Sequence, residues 1–156
     1  MNTYLLLKSL HLLGVILFLG NIIITGWWKV MADRTRDKVV IAFAQRQVTL
    51  TDYIFTLGGA VLVLVTGLSN ASTYGVDYLS IKWLLWGYGL FVASGIIWVV
   101  ILIPLQIKLA KLAHQFTEDE PIPELYWKLG RLWLVFGILA TLLPLINLYW
   151  MVFKPV

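Results

Sequence analysis

The chain has 156 residues, 60% of them hydrophobic and 13% charged, with a net charge of +4 and no cysteine. A soluble domain is roughly 45–50% apolar and about 25% charged, so a chain this short and this apolar cannot hide its hydrophobic residues in one aqueous core. The bilayer is the expected solvent. The missing Cys excludes disulfides and thiolate metal sites, and the positive charge reads as Lys and Arg flanking membrane spans, not as a nucleic-acid surface.

Four stretches reach the roughly 20 apolar residues that a membrane-spanning helix needs. The first runs from about Tyr4 to Trp28. It lacks a basic n-region and an Ala-x-Ala-like site, so it is expected to be a span and not a cleaved signal. Lys8, His11, Gly14, Phe18, Asn21, Thr25 and Trp28 recur at spacings of three or four. They form one stripe, which should face other helices, because an unpaired polar group facing lipid costs several kcal/mol. Residues 36 to 50 place Val39, Val40, Phe43, Ala44 and Val48 near helical spacing between Arg36, Lys38 and Arg46. This predicts a weakly amphipathic helix that lies at the inner membrane surface and leads into span two.

Span two covers about Tyr53 to Ser72, span three about Trp83 to Ile107, and span four about Leu132 to Phe153. Asp52, at the start of span two, is expected to cap that helix or to pair with Arg46, with a proton-relay role as the sharper alternative. Asn21, Thr25 and Thr66 read as structural hydrogen-bonding residues. Gly58, Gly59, Gly67, Gly87, Gly89 and Gly95 mark close helix approach, and Pro104 and Pro144 predict kinks. The stretch TEDEPIPE (117–124) is a solvated turn. The fold class is thus all-α: a single polytopic four-transmembrane-helix bundle over residues 1–156, with an interfacial helix between spans one and two.

Nine of the 12 Lys and Arg lie in the first and third connections. The positive-inside rule puts those loops in the cytoplasm and both termini outside. Trp27, Trp28, Trp83, Trp86, Trp127, Trp133 and Trp150 sit near span ends as an interfacial belt. Trp98 lies mid-span and reads as packing.

The candidate chemistry centres on His11, which lies seven residues past Tyr4 and so roughly 10 Å deeper. Lys8 and Lys82 are expected at the same rim, with Asp77, Met151 and Lys154. An imidazole on a bundle-facing stripe with ammonium groups above it suits a haem: an axial ligand in an apolar cavity and cations for the propionates. Met151 is a second ligand on position alone, and His114 belongs to the opposite side. The plain alternative makes His11 an interhelical hydrogen-bonding residue and Lys8 and Lys82 snorkelling anchors.

The stretches YLLLKSLHLLGVILFLGN (4–21), TDYIFTLGGAVLVLVTGL (51–68) and INLYWMVFKP (146–155) resemble a bacterial four-helix membrane family of unknown function. The wider group it resembles includes HemJ-type protoporphyrinogen oxidases and copper-resistance D-type membrane proteins. The matching features are Lys8 with His11, Gly67, Lys82 with Trp83, and Lys154 with Pro155. The resemblance implies haem b or another porphyrin at His11, in a bacterial inner membrane. Lys8 and Lys82 would then hold its propionates, and a quinol or a tetrapyrrole would suit as partner of a site opening into lipid. Two features depart from the oxidases. Gly20 is followed by Asn21-Ile22-Ile23-Ile24 in place of a Tyr-Leu-Pro-Arg type sequence, and no His stands near Ala93 or Ser94. Protoporphyrinogen oxidation is therefore not implied. The rival expectations are a non-catalytic accessory subunit or homo-oligomer, and, more weakly, a solute or metal transporter.

Overall fold

The computed structural model describes residues 2–73, 75 and 80–154, so Asp77 and Pro155 lie outside the described residues. These residues form helix and no strand: α1 (Thr3–Thr35), α2 (Lys38–Thr51), α3 (Leu57–Thr73), α4 (Lys82–Ile97), α5 (Ile103–His114) and α6 (Glu124–Phe153). Two π-helical turns, Asp52–Thr56 and Trp98–Leu102, join α2 to α3 and α4 to α5 without a break. The result is four continuous helices of 33, 36, 33 and 30 residues, each long and apolar enough to cross a membrane.

Local chemistry sets the ends. Asn2 Oδ1 accepts from the Tyr4 amide at 3.1 Å to cap α1. Asp37 Oδ1 accepts from the Val39 and Val40 amides at 2.8 and 3.0 Å to cap α2. Between these helices Arg36 turns the chain with φ 55°, the left-handed conformation that commonly closes a helix.

At 1.5 Å per residue the four helices measure about 45–54 Å, well beyond the roughly 30 Å of hydrocarbon. They run past the expected spans at the end that carries the α1–α2 turn and the α5–α6 loop, the loop end. Lys38 Nζ joins those two connections by donating to the carbonyls of Thr117 and Glu118 at 2.6 and 2.9 Å. The expected amphipathic helix is present as α2. It leads into span two as expected, and it also buries Ile41, Gln45 and Val48 against the bundle. The best-packed core lies here, where Ile41, Val48, Leu109, Ala113 and Tyr126 meet.

Deeper in the bundle, α1 packs chiefly on α3 and α4 on α6. Small residues set the first pairing. A Cβ on Gly59 would lie 2.7 Å from the Phe18 nitrogen and 2.8 Å from the Gly14 carbonyl, and a Cβ on Gly14 would lie 3.0 Å from the Gly59 carbonyl. The second uses Gly87, which leaves room for Met151 and Asn147 of α6. Gly58, Gly89 and Gly95 do not act this way, since a Cβ on any of them meets nothing within 4 Å. Pro144 is buried within α6, and Pro104 opens α5 directly after the π-helical turn.

Candidate functional site

The polar stripe of α1 turns inward as its spacing requires, but it ends differently from the sequence expectation. Gly14, Asn21 and Thr25 are buried. The next turn buries Lys29, at 2% exposure, and leaves Trp28 exposed. Lys29 follows Thr25 by four residues and holds the stripe's register; Trp28, one residue earlier, faces away. Lys29 is therefore no ordinary flanking charge. Its Nζ donates to Asp33 Oδ2 at 2.6 Å and to the Tyr126 hydroxyl at 2.9 Å, and that hydroxyl donates to Asp33 Oδ1 at 2.7 Å. This closed triad ties α1 to α6 at the loop end.

Below the triad lies a cavity of about 380 Å³ between the two helix pairs. Lys29 Nζ stands 5.9 Å from the centre of the Trp133 ring, which forms part of the cavity wall. Ile23 and Trp27 of α1 and Ile138 and Leu142 of α6 line it and are exposed, so its mouth opens sideways between α1 and α6. Its volume falls within the roughly 300–1,000 Å³ of small-molecule sites.

One carboxylate stands in this apolar wall. Asp52, in the first π-helical turn, is 7% exposed. Its Oδ1 accepts from Asn21 Nδ2 at 2.8 Å and from Thr56 Oγ1 at 3.0 Å, and its Oδ2 accepts from Gln106 Nε2 at 3.1 Å. Asn21 Nδ2 also donates to Thr56 Oγ1 at 3.0 Å. Three segments of the chain, α1, the first π-helical turn and α5, thus converge on one carboxyl group. Asp52 takes neither expected local role. The helix runs on through it from α2 toward α3, so it caps no helix start. It makes no ion pair with Arg46, which is exposed, the ion pairs among the described residues being Lys29–Asp33 and Lys128–Glu124. Asp52 and Arg46 are six residues apart, which puts them on different helix faces.

The second π-helical turn contributes Trp98, which lines the same cavity. Trp133, expected in an interfacial belt, is instead 7% exposed and faces it as well. Two hydroxyls of the lining are satisfied by backbone carbonyls. Thr25 Oγ1 donates to the Asn21 carbonyl at 2.7 Å, and Ser94 Oγ donates to the Ala140 carbonyl at 2.7 Å.

The residues singled out for haem lie elsewhere. His11 is half-buried between α1 and α3, with Nδ1 3.1 Å from Thr66 Oγ1. Gly67 faces its ring, since a Cβ there would lie 3.3 Å from His11 Cε1. The Thr66 hydroxyl donates to the Leu62 carbonyl at 2.5 Å, so it accepts from His11 in the tautomer that carries the ring proton on Nδ1, which puts the lone pair on Nε2. Lys8 is exposed, with Nζ 5.7 Å from the centre of the Tyr4 ring, and Lys82 is exposed at the start of α4. Met151 packs against Gly87 of α4, Lys154 Nζ lies 5.2 Å from the centre of the Trp83 ring, and His114 is exposed at the far end of α5. His11 does not line the cavity. Among the described residues no three His, Cys, Asp or Glu side chains are grouped to hold a metal ion.

Sequence reasoning found Asn21 and the inward stripe but gave Asp52 a local role. It passed over Gln106, which looks like one polar residue in the run IPLQIK. A signal was present: Asp52 and Gln106 are polar residues that stand at the loop-side ends of spans two and three.

No curated protein and no solved structure matches the chain. One family does so over residues 5–155, nearly the whole chain, and the protein therefore belongs to the family described as predicted integral membrane protein (DUF2269).

Proposed function

We propose that this membrane protein takes up a lipid-soluble small molecule through the gap between α1 and α6 and anchors its polar end at Asp52. One observation carries the reading: a cavity of about 380 Å³, mostly apolar and open on its side, has a hydrogen-bonded carboxylate in its wall. Polar groups inside a membrane bundle are expensive and commonly mark ligand or ion pathways. Both π-helical turns flank the same space, and such turns are frequent at functional sites. The nine Lys and Arg near the loop end favour that end as the cytoplasmic one in a bacterial inner membrane.

The test is photolabelling in vesicles with an alkyl diazirine amphiphile. Labelling should concentrate on α1 around Ile23 and on α6 around Ile138. Gly137 lines the cavity, and a Cβ there meets nothing within 4 Å, so Gly137→Phe should fill the space and suppress labelling at both. Equal labelling of all lipid-facing helix surfaces in both proteins would defeat the reading.

A second reading keeps His11 as the axial ligand of a haem, with Lys8 and Lys82 toward its propionates. The Nδ1–H···Thr66 bond favours it, because a metal-ligating imidazole usually donates its other ring N–H in this way. Haem iron can be held by a single protein ligand, so a lone His is compatible with it. When bound, it would supply redox chemistry. A Soret band in wild type that disappears in His11→Ala supports this reading, and identical spectra of the two proteins refute it.

A further inference from the structure

The cavity carries a charge imbalance. Among its lining residues Asp52 is the sole ionisable group, and none is Lys, Arg or His. The nearest cation along α1, Lys29, is committed to Asp33 and Tyr126. The three donors on Asp52, the Asn21 and Gln106 amides and the Thr56 hydroxyl, are all neutral. An ionised carboxyl offers about four acceptor positions, and these three leave one open. The rest of the wall is aromatic at four places: Phe18, Trp27, Trp98 and Trp133.

From this we propose that the molecule taken up is a lipophilic cation, a hydrophobic amine or onium. The inference rests on the reading of the cavity as a ligand site and adds the class of ligand. A buried carboxylate without a counter-charge is costly, and a cationic ligand brings that charge with it. Aromatic faces attract cations, more strongly when water is excluded. Beside a neutral ligand the carboxyl would be neutralised by a proton instead, and an anionic ligand, a porphyrin carboxylate included, would gain nothing from it.

The experiment uses the full-length protein in phosphatidylcholine nanodiscs. Tetraphenylphosphonium and tetraphenylborate share one shape and differ in the sign of their charge; triphenylphosphine oxide is a neutral companion. Binding is measured by equilibrium dialysis, with empty nanodiscs subtracted. The phosphonium should bind saturably and at least tenfold more tightly than the other two. Asp52→Asn should erase that preference, and Asp52→Glu should retain it. Gly137→Phe keeps the carboxylate and should weaken all three ligands, which leaves the test decisive if Asp52→Asn fails to fold. Saturable binding of all three with equal affinity, sensitive to Gly137→Phe, would overturn the cationic class and leave the cavity standing as a site. No saturable binding of any of them would overturn both.

Discussion

Asp52 and Lys29 show opposite ways of keeping a charge inside an apolar bundle. Lys29 is held by a carboxylate one turn away and by the hydroxyl of Tyr126, which is fully buried. Breaking such a set by removing one partner leaves the others desolvated. Lys29→Met should therefore lower stability by about 1.5–3 kcal/mol, the scale for hydrogen bonds to charged groups, read as an earlier midpoint of unfolding in detergent. Lys128→Met is the control: its pairing with Glu124 at 3.3 Å is solvent-exposed, and surface pairs contribute little, so its midpoint should stay within experimental error. Asp52 is held only by neutral donors. Asn21→Leu removes the donor shared by Asp52 and Thr56, and it should weaken ligand binding more than it alters the overall helix content seen by circular dichroism.

At the scale of the elements, the sequence signals divide by range. Hydropathy reads across 20 consecutive residues, so each of the four spans was legible, and so was the inward stripe of α1 up to Thr25. The α2 pattern was legible as an amphipathic helix leading into span two, but its packing partners were not. Nothing in KVVIAFAQRQVTLT distinguishes a helix lying on a membrane from one packed on α1 and α5. The π-helical turns carry no sequence mark, and they aim Asp52 and Trp98 at one cavity. The Asp52 cluster joins residues 31 and 54 positions apart, a range at which periodicity is silent, and the nearby Arg46 offered a misleading local partner. His11 with Thr66 is the same case at 55 positions. Glycines were legible as a class, while their roles were not. Gly59 faces the α1 backbone and Gly58 faces open space. Gly59→Leu should push α1 from α3 and cost about 1–3 kcal/mol, as overpacking does, while Gly58→Ala should be neutral or slightly stabilising. Unfolding midpoints of the two variants, measured side by side, check this contrast.

The whole molecule is built differently at its two ends. Toward the loop end, α2, α5 and α6 pack large side chains around Tyr126 and Leu109, in a region where the helices outrun the hydrocarbon and water can drive burial. Toward the termini, the α1–α3 and α4–α6 pairs are joined by touches such as Phe18 on Phe91, ring centres 6.0 Å apart. The cavity sits between these regimes, roofed by the Lys29 triad and open to the side. With nine of 12 basic residues near the loop end, a reporter fused to either terminus should read as non-cytoplasmic, and a cytoplasmic signal would reverse the assignment. The central claim, that the space beside Asp52 is a ligand site, can be measured on the tryptophans. The chain has eight, of which Trp27, Trp98 and Trp133 line the cavity while Trp83, Trp86 and Trp150 lie toward the termini. In protein labelled with ¹⁵N-tryptophan, titration with tetraphenylphosphonium should shift the indole resonances of the first three along one saturable curve, leave the latter three in place, and lose its effect in Gly137→Phe. Shifts spread evenly over all eight, or absent from Trp98 and Trp133, would contradict it.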